Sequence, residues 1–282
     1  MMNFQHLVDD IDAVSKVLPP FPKIVLQLLE LFREEDASIE MMARLIRNDP
    51  VLSGNVLAMA NHIRRMRVQS DLTDPFAAVS LIGVNRVRKI VISTGMNRFI
   101  STGAGSEFIF HHSLAVAITT QELATMCDVM VDEAYVVGIL HDVGQLCFQV
   151  LDSKAFQEAC QLSVGDGRIL ERETKIFGVD HCQMGARLAK HWNLPDHVVS
   201  AILTHHNDTM ATRNLQAVVC LGETLARALD IPSSPNNRVL KINTPAVELI
   251  GIQWDSPEML DCYGRCHARF LQATSGLRRY GG

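Results

Sequence analysis

A histidine and an aspartate stand side by side at His141-Asp142, closing the apolar stretch Val136-Val137-Gly138-Ile139-Leu140. Ala134, Val137, Gly138 and His141 keep the 0, 3, 4, 7 spacing of one helical face, so His141 extends a buried stripe rather than a solvated one. An imidazole and a carboxylate carried inward together cost free energy unless each is hydrogen-bonded or bound to a cation. A core hydrogen-bond pair would meet that requirement, and so would a metal ion. The choice turns on what other ligands the chain brings.

It brings several. His111-His112 precedes Leu114, Ala117 and Ile118, which form a helix with one apolar side. Asp180-His181 opens another, in which His181, Gly185, Leu188, Ala189 and Trp192 share a face. Asp180 is the expected N-cap of that helix, and Asn193-Leu194-Pro195 its stop. A further helix, with Asp196 as its cap, sets Val199, Ile202, Leu203 and His206 on one stripe, with His205 beside it. Glu223 shares a face with Val219 and Ala226, an awkward place for an unpaired carboxylate. Singly, each histidine reads as a cap or a surface residue. Together, imidazoles and carboxylates on the inner faces of separate helices make a ligand set for zinc, iron or manganese, and helical bundles build metal sites in this way. His6, His62, His191, His197 and His267 lack such a setting and read as ordinary.

The order of these groups resembles the HD-domain metal-dependent phosphohydrolases, and more closely the HDOD family, the HD-related output domain of bacterial signalling proteins. The resemblance begins in Leu18-Pro19-Pro20-Phe21-Pro22 followed by Ile24, Leu28 and Leu31. It continues in Asn48-Asp49-Pro50-Val51-Leu52 leading to Ala58-Met59-Ala60-Asn61, and in Ala77-Ala78-Val79-Ser80-Leu81-Ile82-Gly83 with Val87-Arg88. It ends in His181, Gly185, Trp192, Leu194-Pro195 and His205-His206, so that it covers about residues 15 to 210. The implied fold is all-α, an HD-domain-like helical bundle preceded by an N-terminal helical bundle. The implied site holds one or two divalent ions (iron, manganese or zinc) on His112, His141, Asp142, His181, His205 and His206. Asp142 would bridge two ions, Glu223 would be the last ligand, and His141 and Asp142 would be the catalytic pair of a hydrolase.

The chain also departs from its catalytic relatives. In HD-GYP proteins that cleave cyclic di-GMP, a lysine follows the His-Asp-x-Gly turn; here Gln145 stands there. The Gly-Tyr-Pro segment expected after the double histidine is replaced by Asn207-Asp208-Thr209-Met210-Ala211, and Gly222-Glu223 is a loose match to the usual Ala-Asp context of the last ligand. The phosphate-gripping cation and the substrate loop are thus missing, while most of the ligands remain.

The elements that must position these groups are helices. Ser38 precedes Ile39, Met42, Ala43 and Ile46, while Asp49-Pro50 and Asp74-Pro75 each pair a cap with a proline at the first helical position. Val84, Val87, Ile90 and Val91 form another amphipathic helix, and Ser101-Thr102-Gly103-Ala104-Gly105-Ser106 has the composition of a joint. A long helix spans 213 to 229, and two more open at Thr244-Pro245 and Ser256-Pro257, the last carrying Met259, Leu260, Tyr263 and Phe270 inward. The expected organisation is an N-terminal bundle over 1–100, an HD-like core with the metal site over 101–230, and a helical extension over 231–282.

Hydrophobic residues make up 48% of the chain and aromatics only 6%, so aliphatic helix packing should dominate the core. The net charge of -5 gives no overall attraction for nucleic acid or an anionic membrane, and the clusters Arg64-Arg65-Met66-Arg67 and Arg86-Val87-Arg88-Lys89 read as solvated helix ends. Apolar runs are broken by charge, glycine or proline short of a membrane span, and no secretory signal opens the chain. Seven scattered cysteines suggest reduced thiols and a cytoplasmic location; Cys262 and Cys266-His267 lack the second half of a zinc motif. No GGDEF, receiver or PAS module is apparent, which suggests a stand-alone domain. Two functions fit. One is a signalling module that acts on a protein partner, its site retaining metal but little or no phosphodiesterase activity. The other is a metal-dependent phosphohydrolase acting on a nucleotide or another phosphate ester.

Overall fold

The computed structural model describes Val14, Gln27 and residues 38–100, 107–164, 166–192, 194–207, 214–234, 237, 239 and 241–278. The N-terminal signature at 18–31 (Gln27 apart), the joint at 101–106, the segment 208–211 and the tail beyond 278 lie outside the described residues. The described chain is helical, with no strand among the described residues, and forms two compact units, within 21–99 and from 100 onward.

The first unit contains α1 (Ile39–Arg47), α2 (Pro50–Met66), α3 (Pro75–Ile82) and α4 (Val84–Ile100). Its helices begin where the side chains of Ser38, Asp49 and Asp74 accept hydrogen bonds from first-turn backbone N–H groups. Met42, Ile46, Leu52, Val56, Val79, Val87 and Val91 form its core. The Arg64–Arg67 cluster is solvated, as expected: Arg65 pairs with Asp71 at 2.5 Å on the surface.

The second unit contains α5 (Glu107–Ala124), α6 (Val131–Leu140), α7 (Val143–Leu151), α8 (Ser153–Ser163), α9 (Ile169–Phe177), α10 (His181–His191), α11 (Asp196–Thr204), α12 (Asn214–Ala228), α13 (Thr244–Ile250) and α14 (Pro257–Arg278). Helix α5 is its axis, buried along most of its length and packed against α6, α12 and α14. Glycines permit the close approaches. A Cβ on Gly222 of α12 would lie 2.2 Å from Thr120 Oγ1, and the Thr119 hydroxyl of α5 donates to the Gly222 carbonyl at 2.7 Å. A Cβ on Gly144 of α7 would lie 2.1 Å from the His181 carbonyl oxygen of α10. On the far side, Phe148 of α7 stacks on Phe177 of α9 with ring centroids 4.2 Å apart. Arg265 and Arg269 of α14 bind the buried Glu122 of α5.

Several local expectations need correction. Asp196 is the first residue of α11 rather than its cap, because Pro195 supplies the extended backbone before it. Asn243 caps α13 through a 3.0 Å bond from the Ala246 N–H, which moves Thr244 into the helix. Leu260 is 61% exposed, since Met259, Cys262, Cys266 and Phe270 make the inward stripe of α14. By composition Glu133–Leu151 is long and apolar enough for a membrane span, but 83% of that window is buried inside the protein. It is interrupted at His141-Asp142, between α6 and α7.

Candidate metal centre

His141, His181 and His205 occupy helix ends, and His112 lies within α5. His141 is the C-terminal cap of α6 and Asp142 stands at the N-cap of α7, but its carboxylate makes no capping bond. It faces the histidines instead. Asp142 Oδ2 lies 3.6 Å from His112 Nε2 and 3.4 Å from His141 Nε2. Oδ1 lies 3.3 Å from His181 Nε2 and 3.5 Å from His205 Nε2. All five residues are buried.

The other ring nitrogens define the tautomers. His141 Nδ1 lies 2.8 Å from the Gly138 carbonyl, His205 Nδ1 2.7 Å from the Ile202 carbonyl and His181 Nδ1 2.6 Å from Glu173 Oε2. Facing acceptors, each Nδ1 must donate, so in the neutral ring each Nε2 turns a lone pair toward Asp142. Lone pairs then face a carboxylate. The Nε2 atoms of His112, His141 and His181 and Asp142 Oδ1 are buried with no hydrogen-bond partner. A cation is the group that such an arrangement lacks, so the donors present fit a divalent metal.

Charge follows the same logic. Burial lowers His112 to about 4, only partly offset by Asp142, and burial also holds His206 well below its usual value. Burial opposes a charge on His181 as well, yet Glu173, Cys182 and Asp142 outweigh it and raise His181 well above 6.5. His205 is raised likewise by Cys182 and Asp142 against its burial. In the metal-free protein a proton on these rings serves where a cation would, and metal binding would release it.

Glu223 completes the wall. Its ligating atom and those of His112 and His141 all lie within 4.8 Å of one another. Its Oε2 is 3.6 Å from His206 Nδ1, and its Oε1 accepts Arg227 Nε at 3.0 Å and Nη2 at 2.6 Å. Burial would raise this carboxyl, but His206 and Arg227 hold it well below the carboxylate range. A cleft of about 550 Å³ opens onto His112, Asp142, His205, His206 and Glu223, and its walls include Phe108, Gln145, Gln149, Phe156, Lys241 and Asn243.

All seven candidate ligands thus come together in one unit. The double histidine differs in detail from expectation: His205 is the buried member, on a stripe with Val198, Ala201 and Ile202, while Leu203 is 45% exposed. The helix ends at Thr204, so the pattern of α11 does not extend to His206. Among the histidines read as ordinary, His197 pairs with Glu133 at the surface and His267 is exposed. Three residues of the site escaped the sequence reading: Glu173, which orients His181, Cys182 beside it, and Arg227 on Glu223. Glu173 did carry a signal, since it lies four residues before Phe177 on the buried face of α9.

The described chain is helical throughout and carries a buried His/Asp cluster. The HDOD domain matches residues 18–208, and the chain belongs to that family. An uncharacterized protein of Treponema pallidum (strain Nichols) is 24% identical over 207 residues, 71% of this chain and 39% of that protein, so the chain spans about two fifths of that curated relative. In structure the chain is similar to an HDOD domain protein of unknown function from Geobacter sulfurreducens, with TM-score 0.73, 24% identity and coverage of 98% and 96% of the two chains. It is similar also to a candidate signal transduction protein from Marinobacter aquaeolei VT8, with TM-score 0.74, 20% identity and coverage of 94% and 60%. A candidate metal-dependent phosphohydrolase from Shewanella amazonensis SB2B shares the fold at TM-score 0.58 and 17% identity, over 96% of this chain and all of that one.

Proposed function

We propose that this chain is a regulatory HDOD protein whose histidine cluster holds one or two divalent ions, iron, manganese or zinc, and whose phosphodiesterase activity is weak or absent. His112, His141, Asp142, His181, His205, His206 and Glu223 are its ligands, and its output passes through contact with a protein partner in signalling. The observation that carries this reading lies on the wall of the cleft. Gln145, which is neutral, takes the place after the His-Asp-x-Gly turn, and the Arg227 guanidinium is engaged by Glu223 through two of its nitrogens. A phosphate entering there would meet Lys241 and the Glu223-engaged Arg227, without the additional cation that a lysine at position 145 would supply. Seven free thiols are in keeping with a reducing, cytoplasmic setting. The net charge of -5 argues against nucleic acid or an anionic membrane as the partner.

The cleft itself favours a second reading, a phosphohydrolase for a nucleotide or another phosphate ester. In that reading a bound metal would supply an activated water and charge stabilisation. His141 and Asp142 would orient the reacting groups, and the cleft walls would exclude bulk solvent.

The deciding experiment measures metal content and hydrolysis of a panel of phosphate esters for the purified wild type and His141→Ala. The expected result is stoichiometric metal in the wild type, reduced metal in the variant, and little or no turnover in either. Turnover that requires His141 would overturn the regulatory reading. Metal-free, inert wild-type protein would overturn the metal site.

A further inference from the structure

Two dipeptides oppose each other at the junction of α10 and α11. His181-Cys182 opens α10, and His205-His206 follows the end of α11. Cys182 is 4% exposed, and its sulfur faces an imidazole. Its Sγ lies 3.9 Å from His205 Nε2, and the ligating atoms of His181, Cys182, His205 and His206 all lie within 4.8 Å of one another. His181 Nε2, on a fully buried ring, has no hydrogen-bond partner there, nor has His206 Nε2.

We infer that Cys182 is itself a metal ligand, so that His181, Cys182, His205 and His206 form a thiolate–imidazole half-site selecting a thiophilic divalent ion, zinc or iron(II), beside the carboxylate half at Asp142 and Glu223. This rests on the metal-binding reading above and refines it. A tetrahedral ion with bonds of about 2.3 Å to sulfur and about 2.05 Å to nitrogen sets those two atoms about 3.5 Å apart. The observed 3.9 Å leaves only a few tenths of an ångström to close. Thiolate donors favour zinc and iron over magnesium and manganese, whose preferred ligands are oxygens. Had the chain carried an aliphatic residue at this position, the remaining donors would not discriminate in this way.

The test is cobalt(II) titration of the full chain, read by absorption. Wild type is expected to show a near-ultraviolet thiolate-to-cobalt charge-transfer band. Cys182→Ser and Cys182→Ala are expected to lose that band, bind cobalt on the order of tenfold more weakly, and keep the far-ultraviolet circular dichroism of the wild type. Should neither variant fold, X-ray absorption of the zinc-loaded wild type decides: a sulfur scatterer at about 2.3 Å supports the assignment, and a shell of nitrogen and oxygen alone overturns it. A charge-transfer band that survives in both variants overturns it too, since Cys160 or Cys220 of the cleft wall would then be the source. Cobalt bound without any such band overturns the role of Cys182 and leaves the metal site standing. No cobalt binding at all overturns both.

Discussion

Replacing Gly144 with alanine should do damage far beyond one methyl group. The added Cβ would sit 2.1 Å from the His181 carbonyl oxygen, 2.8 Å from its carbonyl carbon and 2.9 Å from the Gly185 nitrogen. All three are backbone atoms of α10, so no side chain can swing aside. Ordinary contact begins near 3.4 Å, so α7 and α10 must separate by about 3.4 − 2.1 = 1.3 Å. That places the substitution near the top of the overpacking range, at about 3 kcal/mol. For a unit of this size each kcal/mol moves the melting temperature by roughly 2–4 °C, so a fall of roughly 6–12 °C is expected. The same separation would carry His181 away from Asp142 Oδ1, now 3.3 Å distant, and zinc affinity should fall with it. Gly264→Ala is the control. It lies within α14 with nothing within 4 Å of its added Cβ, and should raise the melting temperature by roughly 2–4 °C through helix propensity worth about 1 kcal/mol. Thermal unfolding followed by circular dichroism, with zinc titration of each variant, provides the measurement. If Gly144→Ala melts within about 2 °C of wild type, the argument from helix contact is refuted.

Three further outcomes follow from the same geometry. Glu173→Gln keeps the volume but removes the charge that accepts from His181 Nδ1 at 2.6 Å and from its backbone N–H at 2.9 Å; zinc affinity should drop on the order of 10- to 100-fold with the helical content unchanged, and an unchanged isotherm would refute the orienting role. Burial holds His112 at about 4 against 6.5, so in metal-free protein the unfolded chain binds a proton that the folded chain refuses. Its contribution is therefore complete above pH 6.5 and is lost as pH falls toward 4, by roughly 3 kcal/mol at full extent. Urea unfolding across that interval should show wild type losing stability more steeply than His112→Gln, and parallel curves would refute the assignment. Gln145→Lys adds a cation to the cleft wall beside Asp142; it should tighten inorganic phosphate binding by roughly tenfold, about 1.4 kcal/mol, in isothermal calorimetry, with no gain counting against the account of the missing charge.

The helices and most of their starts were legible because their causes are local. Ser38, Asp49, Asp74, Asp180 and Ser256 act within one turn of the residues they cap, and apolar spacing marks each buried face. The same spacing showed that His141 and Glu223 face inward, where they are indeed 0% and 4% exposed. It failed where a helix stops. At α11 the periodic pattern put His206 on the buried stripe, but the chain leaves the helix at Thr204 and His205 becomes the deeper ring. At α13 the cap fell one residue earlier, at Asn243, and on α14 the buried stripe runs through Cys262 and Cys266, which leaves Leu260 outward.

By itself the sequence determined that the chain is helical and that histidines and carboxylates stand on inward faces of separate helices. It also placed a neutral Gln145 three residues after Asp142. Only the tertiary structure decided which of those side chains meet. Distances such as the 3.3 Å between His181 and Asp142, or the contact of Gly144 with α10, depend on how helices far apart in sequence pack. Glu173 and Cys182 gained their roles only in that packing. Spacing marks Glu173 as inward and says nothing of Cys182, and in both cases the chemical task comes from the imidazole set against the side chain.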